Sequence, residues 1–373
     1  LTAAVEAALR AAVTAPLPAP GAVDWARIAA RHRPRPAAFA RGEDFTLDAS
    51  GPDAAFDPAA GSVYAADVIG RAWLVCDVPH AALFGAADFA YGAQFAAARR
   101  LARVPWGRLA APGRHSPAPL HVFSIGRCGS TLLVRLAAAA GVVCASELDG
   151  FTALGRVAAR LWHDAAAQDG LAALHRELEA HVCAAAPVGA AVGAAVGAPV
   201  GAAVGAPVLL KHRSQAAGLL RTFAADGQPR PAVFMVRGVS DWAASVCRHF
   251  PGAPAEHWVA MLLRCIRAAA WARRAGLPLT VLRYEALRTG PDAAMTAVLG
   301  ALPGAAAPPP AALGAVMAAD SQAGSALARA RARPASPEDA ARAARVVALW
   351  REAAPRPALA VLGLGPDLRP AAG

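Results

Sequence analysis

Lysine is almost missing from this chain. Of the 37 lysine and arginine residues among 373, a single one, Lys211, is lysine. So lopsided a count reads as a coding bias toward Arg. The one exception then marks a place where a compact ammonium is needed and the wide planar guanidinium would not serve. The six cysteines (Cys76, Cys128, Cys144, Cys183, Cys247, Cys265) include no Cys-x-x-Cys pair and no Cys/His zinc spacing. They read as reduced, mostly buried thiols of a cytoplasmic protein, and no metal set is expected. A charged-then-apolar N-terminal signal is absent, and so is a clean run of large apolar residues, so no secretion signal and no membrane span are expected. Arg/Lys runs are lacking too. The net charge of +11 is dispersed as Arg through Ala-rich segments with few aromatics interleaved, which argues against a nucleic-acid partner and for an anionic small molecule.

What is present is one stretch of chemical interest, His121-Val122-Phe123-Ser124-Ile125-Gly126-Arg127-Cys128-Gly129-Ser130-Thr131-Leu132-Leu133. It reads as a buried strand, a tight basic glycine turn and the start of a helix. Gly126 and Gly129 allow backbone conformations that a Cβ forbids. The free N–H groups and positive dipole end of the helix would face the turn, and backbone N–H groups from Arg127 to Thr131 with the Ser130 and Thr131 hydroxyls could cradle a phosphate. The turn is not of the ATP-binding type, which needs four residues between its glycines and a Gly-Lys-Ser/Thr end.

Residues 1–115 read as a lead-in region that packs on the main sheet or covers the site. Thr2 to Val13 reads as a helix, Val23 to His32 as another, Ser62 to Val78 as strands, and Phe84 to Arg103 as helical again. From residue 116 to 373 the pattern is that of an α/β domain built on a parallel sheet, with helices alternating with strands at His121–Ile125, Val208–His212, Ala232–Arg237 and Leu279–Tyr284. Ligands of open parallel sheets sit beyond the carboxyl ends of the strands, so Arg127, Lys211 and Arg237 would reach one rim. Helices are expected at Ser130–Ala140, Phe151–Ala185, Glu256–Arg274 and after Ser336-Pro337, and Ser240 and Asp241 are expected to cap another that runs to His249. Residues 186–208, with Val and Gly each recurring every four residues, read as a flexible insertion; Pro187, Pro199 and Pro207 interrupt the Gly-x-x-x-Gly ladder that a membrane helix would use.

With these residues in view, the chain resembles the sulfotransferase superfamily over roughly residues 118–300. Members of that superfamily transfer a sulfonate from 3′-phosphoadenosine-5′-phosphosulfate (PAPS). Gly126 to Leu133 looks like the family's loop for the 5′-phosphosulfate, with Arg127 in its basic position and Cys128 in its small one. Val236-Arg237 followed by Ser245, eight residues on, is similar to the pair that binds the 3′-phosphate. Arg283-Tyr284-Glu285-Ala286-Leu287 is similar to a late family element in which Tyr284 and Glu285 are structural.

The resemblance implies a three-layer, P-loop-like α/β fold and a PAPS-dependent transferase acting, without a metal, on a hydroxyl or amine of a small-molecule or carbohydrate acceptor. It implies 5′-phosphosulfate contacts from Arg127, Cys128, Gly129, Ser130 and Thr131, and 3′-phosphate contacts from Arg237 and Ser245. Lys211 would assist the leaving group. For the general base it points to Glu147 ahead of His212, with Asp149 third, because adjacent strand residues face opposite sides and His212 follows Lys211. The basic loop Gln322–Arg333 would close over the nucleotide through Arg329, Arg331 and Arg333. Two other readings stand beside this one: a non-catalytic nucleotide- or phosphate-binding module of the same fold, and an ATP-dependent kinase, which the missing loop lysine disfavours.

Overall fold

The computed structural model describes residues 3–17, 24–32, 42–48, 60–84, 89–109, 118–186, 206–228, 230–302, 304–306, 308–319 and 334–371. The 186–208 insertion, apart from its two ends, and the basic loop carrying Arg329, Arg331 and Arg333 lie outside these residues.

The N-terminal region opens with helix α1 (Ala3–Thr14) and then builds strands β1 (Asp24–Arg31), β2 (Phe45–Asp48), β3 (Ser62–Asp67) and β4 (Ala72–Cys76). Helix α2 (Ala90–Ala97) and strand β5 (Arg100–Pro105) complete it. The five strands pair antiparallel in the order β2-β1-β5-β4-β3. Two expectations are corrected here. Within the segment Val23–His32 the chain forms strand β1, because its partners β2 and β5 override the helix preference of Ala and Arg. Among the described residues of Phe84–Arg103, helix is confined to α2, and the residues after it feed a central strand buried at Leu101, Ala102 and Val104.

The second sheet carries the chemistry. Strands β6 (Leu120–Ser124), β7 (Val143–Ser146), β8 (Val208–Lys211), β9 (Ala232–Val236) and β10 (Leu279–Arg283) are all parallel, in the order β10-β9-β6-β8-β7. The fifth strand, β7, adds to the four expected from sequence; Val143-Cys144-Ala145-Ser146 carries one large aliphatic side chain and makes no apolar run. Between strands run α3 (Ser130–Ala139), α4 (Asp149–Arg160), α5 (Ala165–Ala184), α6 (Leu219–Asp226), α7 (Val239–His249) and α8 (Ala255–Arg274). After β10 come α9 (Tyr284–Thr289), α10 (Pro291–Leu299), α11 (Pro310–Ala318), α12 (Pro337–Ala353) and α13 (Arg356–Val361).

Every residue of β6 is buried, so helices cover both faces. On one face His121 and Phe123 meet Phe223 of α6 at ring separations of 4.7 and 5.8 Å. On the other, α3 lies across β7 and β8 and is backed by α10 and α11. A buried parallel strand needs such cover, which explains the unbroken apolar runs Val208–Leu210 and Ala232–Val236. Helix α12 starts as expected, with Ser336 and Asp339 capping each other and Pro337 in the first turn. Helix α7 differs: neither Ser240 nor Asp241 caps it, and the N–H of Val239 donates instead to the carbonyl of Asp367 near the C-terminus.

The N-terminal sheet is fastened to the parallel one through α4 and α5. Strand β3 lies against α4, while Trp73 Nε1 and the Leu109 N–H both donate to Glu177 of α5, at 3.1 and 2.9 Å. His80 sits at this seam, fully buried, its ring 5.0 Å from that of His181 and both its nitrogens without a hydrogen-bond partner among the described residues. Burial, then the neighbouring His181, lowers its pKa well below 6.5. The unfolded chain therefore binds a proton that the folded chain refuses, and this contribution to stability is present above about pH 6.5 and lost as the pH falls, at up to about 1.4 kcal/mol per pH unit. Thermal melts at about pH 7.5 and about pH 5.5 should show a drop in Tm that His80→Leu reduces; an unchanged drop in the variant would remove His80 from the account.

Candidate active site

The rim of the parallel sheet collects the candidate residues. Leaving β6, the chain turns through Gly126 at φ 70°, Arg127 at φ 51° and Gly129 at φ 85°, and Gly129 caps α3. A non-glycine residue with positive φ is uncommon and strained, and Arg127 is one. The turn is held from below. Trp242 Nε1 of α7 donates to the carbonyls of Ile125 and Gly126 at 3.2 and 2.9 Å. Cys128 Sγ, fully buried, lies 3.5 Å from the carbonyl of Met235. Burial raises the Cys128 thiol to a pKa of about 11, so it fills space as a neutral group.

Across the turn stands Lys211, at the end of β8 and with only 2% of its side chain exposed. Its Nζ donates to Thr131 Oγ1 at 3.2 Å and to Glu147 Oε1 at 2.8 Å. The other Glu147 oxygen accepts from Arg213 Nε at 3.3 Å, and Arg213 reaches on to both oxygens of Asp149. Burial alone would lower the Arg213 pKa, but the carboxylates of Asp149 and Glu147 outweigh it and raise it. Glu147 follows β7 with φ 58°, a second non-glycine residue of the rim in the left-handed region. Two aromatics from the N-terminal region complete this side: Phe89 with its ring centre 5.3 Å from Lys211 Nζ, and Tyr91 beneath the Arg213 guanidinium at 4.1 Å.

The third cation, Arg237, follows β9. Its guanidinium lies 4.8 Å from the ring centre of Tyr284, and its Nε is buried with no hydrogen-bond partner among the described residues. The same Tyr284 ring packs on Gly129 so closely that a Cβ there would come within 2.3 Å of it. Tyr284 therefore sets the spacing between turn and cation, while Glu285 accepts the Gly238 N–H at 2.9 Å and fixes the start of α7.

Arg127, Ser130, Thr131, Lys211 and Glu147 thus come together around the turn. Ser245 joins them from α7, where its Oγ accepts from Arg127 Nε at 3.3 Å, while the Arg127 terminus also meets His249. Among the described residues Ser245 is joined to Arg127 and not to Arg237. Asp149 is buried beneath the rim and engaged by Arg213. His212 lies elsewhere: it is buried on the opposite face, stacked on Phe123 at 4.8 Å, with its Nε2 2.9 Å from His121 Nδ1. Burial, with His121 beside it, lowers its pKa well below the usual value. The strand's alternation separates it from Lys211, so it cannot serve as a base beside that residue.

Arg213, His249, Phe89 and Tyr91 were not anticipated. Alternation along the strand marks Arg213 as sharing a face with Lys211, and His249 follows Ser245 by one helical turn, but Phe89 and Tyr91 come from a distant segment with no local signal. Neither a protein-family model nor a curated protein matches this chain.

Gly129 is constrained by both its φ and the Tyr284 ring. Gly129→Ala should cost about 1–3 kcal/mol in urea unfolding, and part of that cost should be recovered in a Tyr284→Ala background. A neutral Gly129→Ala would contradict this description of the turn.

Proposed function

We propose that the chain is a PAPS-dependent sulfotransferase built on a P-loop-like sheet. The strand order supports this reading: counted from β6, the parallel strands run 2-3-1-4-5. Chain connections thus diverge on either side of β6, and its carboxyl end is where an open α/β sheet binds its ligand. The observation that carries the proposal is the convergence on that point of a positive-φ turn heading a helix, the buried Lys211 bonded to Thr131, and Arg237 with a buried, unpartnered Nε behind Tyr284.

PAPS supplies an activated sulfonate with the adenosine bisphosphate as leaving group. The N–H groups of Arg127 to Thr131 and the hydroxyls of Ser130 and Thr131 hold the 5′-phosphosulfate. Arg237 and Ser245 serve the 3′-phosphate, for which Ser245 exchanges its bond from Arg127. Glu147 takes the proton of the acceptor hydroxyl or amine as that group's lone pair forms the new bond to sulfur and the bridging S–O bond breaks. Lys211 stabilises the charge left on the bridging oxygen. Because Lys211 and Glu147 are ion-paired at rest, protonating the carboxylate weakens its hold on the ammonium just when the leaving oxygen needs it. Phe89 and Tyr91, against Lys211 and Arg213, support a role for the N-terminal region in lining the acceptor's approach.

A second reading, a nucleotide- or phosphate-binding module without catalysis, is favoured by the engagement of both Glu147 oxygens with cations. Lys211→Ala and Glu147→Gln separate the two readings, since they abolish sulfonate transfer under the first and there is no transfer to abolish under the second. The nucleotide itself is tested by calorimetry. Arg237→Ala should weaken binding of 3′-phosphoadenosine-5′-phosphate by about 1.5–3 kcal/mol, roughly 10- to 150-fold in Kd, and barely affect the analogue lacking the 3′-phosphate. Equal losses for both ligands would refute the assignment.

A further inference from the structure

On the face of the sheet away from the rim, three metal-ligating side chains converge that the proposed reaction does not use. His121 projects from β6, and His175 and Glu179 stand one turn apart on α5. One donor atom from each lies within 4.8 Å of the other two. His121 Nε2 is 2.9 Å, and His175 Nε2 3.8 Å, from Glu179 Oε2. Ligands about 2.0–2.1 Å from a tetrahedral ion stand roughly 3.3 Å apart, so these spacings bracket those of a bound metal.

His175 supplies the independent observation. It is fully buried. Thr222 Oγ1 donates to the carbonyl of Leu219 at 2.8 Å, which leaves that hydroxyl to accept from His175 Nδ1 at 3.1 Å. The proton of the neutral ring is therefore on Nδ1. Nε2 is left as a bare lone pair, with no hydrogen-bond partner among the described residues, facing a carboxylate oxygen. Two acceptors that face each other in a dry interior call for a positive centre between them.

The surroundings suit an ion. His121 turns its second nitrogen to His212 Nε2 at 2.9 Å, so an Nδ1–H tautomer that frees Nε2 for a metal has its acceptor in place. Arg230 donates to Glu179 Oε2 at 3.0 Å, and Asp226 pairs with Arg230 from its other side. The donor set of two imidazoles and one carboxylate is borderline in softness, the type zinc takes.

We propose that His121, His175 and Glu179 bind a divalent transition metal, zinc by preference, that pins α5 to the central strand. The site would be structural. It lies across the sheet from Lys211, and it stiffens the helix whose Glu177 holds the N-terminal sheet.

Cobalt(II) added to the chelator-treated full chain tests this by absorbance. The expected result is one saturable equivalent with the intense visible bands of a tetrahedral site, displaced by zinc, together with a rise in Tm on adding zinc to the wild type. His175→Gln and Glu179→Gln, checked for folding by circular dichroism, should each lose the bands. A wild-type chain with no such bands and no zinc-dependent Tm holds a hydrogen-bond network only, and overturns the proposal. Bands of undiminished intensity in both variants would place the ion on other histidines and overturn it equally.

Discussion

A single buried ammonium organises the rim of this protein. Lys211 is almost fully enclosed, and an unpaired charge there would be prohibitively costly. Its position is therefore dictated by what can pair with it, and its pairing in turn fixes three elements. Thr131 ties it to the first turn of α3, and Glu147 ties it to the end of β7. Through Glu147 it is linked to Arg213, Asp149 and the start of α4. A guanidinium, planar and branched, would not occupy that slot in the same way, which gives a physical reason for the one lysine in an arginine-dominated chain.

Two of the four non-glycine residues with positive φ among the described residues, Arg127 and Glu147, belong to the same arrangement. Arg127 and Glu147 both sit in the left-handed region, one in the turn after β6 and the other just after β7. Such conformations persist where surrounding contacts overdetermine them. Here the contacts are Trp242 on the Ile125 and Gly126 carbonyls, and the backbone bond from the Glu147 N–H to the Lys211 carbonyl at 2.7 Å. The strands of the second sheet themselves form a buried parallel structure covered on both faces.

Much of this sheet is legible in the sequence, because buried parallel strands advertise themselves as apolar runs that end in a cation. The runs at Val208–Leu210 and Ala232–Val236, and the Gly126–Thr131 turn, are of that kind. The fifth strand is not legible: Val143–Ser146 is no shorter than Val208–Lys211, but it carries one large aliphatic side chain and ends on a serine, so it makes no apolar run ending in a cation. The N-terminal sheet misleads for a different reason: Ala- and Arg-rich segments favour helix locally, and only pairing between distant strands makes β1 extended. Within the site, Lys211 stands out as the one lysine at the end of an apolar strand and the turn by its glycines, while Glu147 comes from the resemblance alone. Phe89 and Tyr91 are not, because their meeting with Lys211 and Arg213 is a tertiary event. The separation of His212 from Lys211 follows from the two-residue period of a strand.

The central claim is that this rim moves a sulfonate, with Lys211 at the leaving oxygen. The most direct measurement is incubation of the chain with isotopically labelled PAPS and a cell extract, with mass spectrometry of the small molecules and carbohydrates for a labelled sulfonate adduct. The account predicts an adduct that depends on the wild-type chain and vanishes with Lys211→Ala. An adduct formed equally well by that variant, or label released only as free sulfate at the rate seen without protein, would contradict it.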